Sequence, residues 1–247
     1  MIFMIIKLFL ISLFSLYIYS AQTLKGMGVS LPSSFREDGR GKEQIFLDHL
    51  IKDCMKYKYT IKQYPFGRHM IAFSEEPYDF VTTVPESSKL KYFQSKSYIH
   101  YQNGVSTLKG QKINSLQDLV GKRVITFSGA TELIPGLKEL VKDFASYSEK
   151  AKQEIHSKML LLGRVDAVIS DAVIFFAHTK ELKKEKFQMK DLEFHHLFDK
   201  TNFTLYFKDK SLRDKFNSCV VKMHKTGKDK KLAFEFYINE LYRTLSE

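Results

Sequence analysis

Apolar positions recur in two rhythms along this chain, and the switch between them predicts the elements. Period-two alternation or short apolar runs mark strands over residues 23–31, 57–63, 78–84, 98–108, 123–127, 165–170 and 203–207. A 3.6-residue rhythm marks helices over residues 43–55, 68–73, 132–147, 150–162, 172–179, 211–226 and 231–245. In the first helix Ile45, Phe46, Leu50 and Cys54 share one face. Pro135 fits the first turn of the third, and Gly163 sits where a C-cap glycine ends the fourth. Residues 116–119 form a short helical turn, and residues 32–41 a polar loop that turns at Asp38-Gly39. Strands that alternate with helices imply a mostly parallel sheet covered on its faces.

The first 21 residues follow a different pattern. Lys7 precedes an apolar run over residues 8–18 and the small pair Ser20 and Ala21, which is the layout of an export signal. Tyr19 or Ile18 would occupy the minus-three position, so an uncleaved anchor is the alternative. No cysteine stands near the junction to accept a lipid. The rest of the chain contains no later apolar stretch of membrane-spanning length, so stable membrane insertion after cleavage is not expected.

The formal charge of +11 permits attraction to nucleic acid, membrane or anionic solutes. Its lysines are interspersed with acids, and the compact arginine and aromatic array of a nucleic-acid surface is missing, which favours a solvated basic exterior. Cys54 and Cys219 allow one disulfide in an oxidising compartment, or two buried thiols. His195-His196 has no neighbouring donors at metal spacing, so no metal or other cofactor is expected.

Several segments, in order, resemble the type II periplasmic solute-binding proteins, in the family that includes the amino-acid-binding components of ABC importers. They are LPSSFREDGRGKE, VPESSKLKYFQSKSY, SLQDLVGKRVITFSGAT, GRVDAVISD and NFTLYFKDKSLRDKFNSCVVKMHKTGK. The resemblance implies an α/β fold of two lobes, each a central mostly parallel sheet flanked by helices, joined by two crossover strands. Lobe 1 would comprise residues 22–105 and 201–247, and lobe 2 residues 106–200. It further implies a periplasmic monomer that captures a small polar or anionic solute, such as an amino acid or a derivative, by hinge closure. An ABC permease would be its partner.

The same resemblance nominates a site. Asp171 matches the residue that pairs with a ligand ammonium, with helix capping as its competing role. Ser128, Gly129 and Thr131 match a loop that offers amides and hydroxyls to an anionic group, a property of helix N-termini. Phe35 matches a stacking aromatic, and Phe66, Arg68 and Tyr98 are further cleft candidates. The family's carboxylate-binding arginine falls at Ser87 in this chain, leaving Arg68 or Lys89 to supply a cation. Two other classes compete: a sensory or partner-binding module without transport, and a dehydratase-type enzyme drawing an acid from Glu75, Glu76 or Glu86. The enzyme reading lacks a matching cationic clamp, so capture without chemistry is the expectation.

Overall fold

The computed structural model describes residues 22–31, 33–182 and 191–245. The export signal read at residues 1–21 lies outside them. Among the described residues no helix is long and apolar enough to cross a membrane.

The first strand, β1 (Thr23–Val29), leads through a loop into helix α1 (Lys42–Leu47), which continues as a wider π-type turn, Asp48–Cys54. Strand β2 (Lys58–Tyr64), helix α2 (Arg68–Glu75) and strand β3 (Phe80–Pro85) follow. The two-residue β4 (Phe93–Gln94) precedes the long β5 (Ile99–Leu108). Next come β6 (Arg123–Thr126), the short helices α3 (Ala130–Leu133) and α4 (Leu137–Leu140), and β7 (Ser146–Glu149). Helix α5 (Glu154–Leu161), β8 (Ala167–Asp171) and α6 (Ala172–Glu181) complete this half. The chain returns through β9 (Leu192–His195) and β10 (Lys200–Phe207) to helices α7 (Lys210–Lys225) and α8 (Lys228–Leu245).

These strands hydrogen-bond in the order β2-β1-β3-β10-β5-β8-β6-β7, with β4 on β10 and β9 on β5. Each wing is parallel: β2 and β3 flank β1, and β7 and β8 flank β6. The two middle strands run antiparallel to their neighbours. Strand β5 changes partner halfway along its length. Its residues 99–102 pair with β10, and its residues 103–106 pair with β8.

Two large apolar cores lie on either side of that change. One gathers Leu24, Phe46, Leu50, Phe80, Phe207, Phe216 and Val220 under α1, α7 and α8. The other gathers Val105, Leu119, Val124, Phe127, Leu137 and Ile169. Burial of such side chains contributes about 1.5–3 kcal/mol each, so each wing has its own source of cohesion.

Two sequence expectations need correction or completion. The helix expected over residues 132–147 does not exist as one piece. After α3, Ile134 turns out of helical geometry, and Gly136 adopts a left-handed φ of +78° before α4. The end of the expected helix is instead strand β7, paired in parallel with β6. The cysteines are paired: Cys54 and Cys219 form a disulfide with Cα atoms 5.9 Å apart, joining the π-type turn to α7.

Candidate functional site

A cleft opens where β5 changes partner. Its inner recess, of about 40 Å³, is lined from the first wing by Leu31, Phe66, Thr83 and Phe203, from the crossing strand β5 by Tyr101 and Asn103, and from the second wing by Phe127, Leu133, Gln153, Asp171 and Ile174. Phe66 and Leu133 are shared with an outer mouth of about 250 Å³, which adds Met70, Pro85, Ser87, Ser88, Ser128, Gly129 and Glu132. Ile174 and Leu133 of the second wing pack against the first wing's core. Phe66 and Phe127 meet edge to face with centroids 6.0 Å apart.

Asp171 ends β8 and is 6 % exposed. One carboxylate oxygen accepts from the Val173 and Ile174 amides at 2.9 and 3.4 Å, which caps α6. The other accepts from the Gln102 amide at 3.1 Å, at the point where β5 crosses between wings. The capping role foreseen for Asp171 is therefore present, and the same side chain also faces the recess.

At the Ser128 to Thr131 loop the anion is supplied from within the chain. Glu149, at the end of β7, accepts from the Gly129 amide (2.7 Å), the Thr131 amide (2.9 Å), the Thr131 hydroxyl (2.9 Å) and the Tyr147 hydroxyl (2.8 Å). Burial alone would raise the Glu149 pKa, but these donors outweigh it and hold the group below its ordinary value. Gly129 reaches this geometry with φ +86°, which a residue bearing Cβ would adopt only under strain.

The recess floor is a buried polar network. Thr83 takes φ +56°, a conformation rare for a β-branched residue. Its hydroxyl donates to Glu43 at 2.6 Å, and its carbonyl lies 3.3 Å from His69 Nε2. Thr82 donates to the other Glu43 oxygen at 2.7 Å. Burial pushes the Glu43 pKa up, while these hydroxyls and Lys42 pull it back. Burial also pushes His69 down to about 4. Lys42 donates from Nζ to the His100 carbonyl at 2.7 Å and stands 4.1 Å from the Tyr101 ring centroid.

Of the residues nominated from sequence, Phe66, Ser87, Ser128, Gly129 and Asp171 line this cleft. Thr131 is turned to Glu149. Phe35, Arg68 and Tyr98 lie elsewhere. Phe35 borders a surface groove with Tyr59 and Ile61 and packs on Gly28, where a Cβ would meet its ring at 2.6 Å. Arg68 is exposed at the start of α2 and lines neither pocket. Tyr98 is buried and borders a separate groove with Lys42, His100 and Lys200. Sequence reasoning missed Thr83, Tyr101, Asn103, Phe127, Gln153 and Phe203. For Tyr101 and Asn103 a signal existed, because residues two apart on a strand share a face.

A cleft between two α/β wings linked by a pair of antiparallel strands is the architecture of the type II periplasmic solute-binding proteins. Solved structures share the fold. An ancestral arginine-binding protein bound to arginine aligns with a TM-score of 0.68 at 23% identity, covering 87% of this chain and 98% of that one. The arginine-, lysine-, histidine-binding protein ArtJ of Geobacillus stearothermophilus aligns at 0.66 with 17% identity, covering 88% and 95%. The chain belongs to the NMT1/THI5-like family, whose profile matches residues 90–215. Among curated proteins it is 28% identical over 174 residues to the L-cystine-binding protein TcyK of Bacillus subtilis (strain 168). That match spans 65% of this chain and 64% of the relative's length.

Proposed function

We propose that this protein is an exported solute-binding protein that captures a small polar molecule, an amino acid or a derivative, by closing two lobes around it for ABC-type uptake. The lobes are residues 22–105 with 201–247, and residues 106–200. What supports this reading is the partner change of β5, near which Asp171 borders a recess between two sets of strands, each backed by a large apolar cluster. Rotation about β5 and β10 would part Phe66 from Phe127 and draw Ile174 and Leu133 off the first core while leaving the rest of each core together, the hinge form of closure. A ligand held by both walls favours the closed population by its differential affinity for it. The cystine-, arginine- and histidine-binding relatives support an amino-acid-like solute. Export to the periplasm, a monomeric state and delivery to a permease belong to the same reading.

Thermal denaturation of the purified protein against amino acids, amines and organic acids tests it. A solute at a hundred times its Kd adds about 2.7 kcal/mol, which raises the melting temperature by roughly 5–10 °C for a chain of this size. A melting temperature unmoved by every solute would overturn the proposal. A second reading, a sensory module of the same fold without transport, draws support from Ser87 in place of the arginine and from the occupation of the Gly129 and Thr131 amides by Glu149. Uptake that survives deletion of the protein would favour that reading.

A further inference from the structure

We propose that the cleft selects a cationic ligand without a carboxylate, an amine in preference to an amino acid. The inference rests on the solute-binding reading and specifies its ligand class.

Charge is the first argument. Among the described residues that line the recess and mouth, the charged side chains are Asp171 and Glu132, both acids. Glu132 is engaged by Lys138 at 2.8 Å in the solvent-facing mouth, so Asp171 sets the sign inside. This is unexpected in a chain of net charge +11, where cations dominate the exterior. A carboxylate brought into the recess would meet Asp171 and no cation among the lining side chains, and a buried unpaired charge is strongly unfavourable.

The usual devices for a carboxylate are closed as well. Ser87 and Ser88 give the mouth neutral side chains at its rim. The Gly129 and Thr131 amides are already bonded to Glu149. Lys42 is the cation behind the recess, but its Nζ is bonded to the His100 carbonyl, rests on the Tyr101 ring and borders the separate groove.

The remaining walls suit an ammonium group. Phe66, Phe127 and Phe203 surround the recess, and aromatic faces attract cations through the ring quadrupole. At about 40 Å³ the recess admits only a head group, since a single water needs about 10–15 Å³ by the same kind of measure. The larger mouth, with Met70, Pro85 and Leu133, would take an apolar or extended tail.

The test uses matched pairs that differ by one carboxylate: phenethylamine and phenylalanine, agmatine and arginine, cadaverine and lysine, with 3-phenylpropionate as an acid control. Binding to the purified protein is measured by calorimetry and thermal shift. In at least one pair the amine should bind tenfold or more tightly than its parent. Asp171→Asn, which keeps one oxygen for the Val173 and Ile174 amides and loses the acceptor for the Gln102 amide, should weaken that amine tenfold or more. Ser87→Arg, a change at the rim that needs no repacking, should move the preference tenfold or more toward the parent amino acid. Equal or tighter binding of an amino acid or of the acid control overturns the amine assignment and leaves the solute-binding reading intact. A folded Asp171→Asn protein with undiminished amine affinity also overturns it. If that variant does not fold, the Ser87→Arg preference decides. Silence across the whole panel removes both readings.

Discussion

Glu43 and His69 meet through Thr83 beneath the recess, and burial acts on them in opposite directions. The Glu43 pKa is raised, so its contribution to stability is present below its ordinary value of 4.5 and is lost as pH rises through the folded pKa. His69, and His156 in α5, are both lowered by burial from 6.5 to about 4. Their contribution is complete above pH 6.5 and is lost as pH falls through the interval toward 4, because the unfolded chain binds protons that the folded chain refuses. At 1.36 kcal/mol per pKa unit this amounts to about 3 kcal/mol for each histidine. Urea denaturation between pH 7.5 and 4.5 should therefore show stability falling with acid. In a Glu43→Gln background the histidine contribution should stand without the opposing carboxylate. A flat profile in that background would exclude neutral burial of the two imidazoles. The left-handed Thr83 depends on the same network, since its hydroxyl and carbonyl are both engaged where its backbone is least comfortable.

The disulfide joins two elements that are far apart in sequence and adjacent in space. It closes a loop across a separation of 165 residues, for which loop-closure entropy predicts up to about 5 kcal/mol of stabilisation. Reduction, or the pair Cys54→Ser and Cys219→Ser, should lower the melting temperature by roughly 5–15 °C, measured by calorimetry with and without reductant. No change would mean that packing of α7 on the π-type turn suffices alone. At this scale legibility followed apolarity. Strand β8 was readable because residues 165–170 form a buried run closed by Asp171, and α7 because its apolar face repeats at helical spacing. Strand β7 was not. Its SYSE has no apolar alternation, and it becomes a strand only because β6 offers a parallel edge. Glu149 was overlooked with it, so the loop it occupies read as vacant. The cysteine pairing was equally hidden, because a 165-residue separation carries no local signal.

For the molecule as a whole, order along the chain was more informative than any one motif. Strand and helix alternation gave the parallel wings, and the GRVDAVISD segment located one wall of the cleft. What stayed hidden was which aromatic residues turn inward, since Phe35 and Phe66 look alike in sequence and only the second reaches the recess. If β5 and β10 are the pivot, small-angle scattering should give a larger radius of gyration for the free protein than for the protein saturated with a bound solute. Compact packing of this length corresponds to roughly 17 Å. Identical curves would argue for a rigid cleft. The Cys54 to Cys219 link has a separate consequence for a protein exposed to proteases. A single backbone cut at any point between those residues, the whole distal wing included, releases no fragment: the nicked protein remains one covalent molecule and separates on a denaturing gel only after thiol treatment.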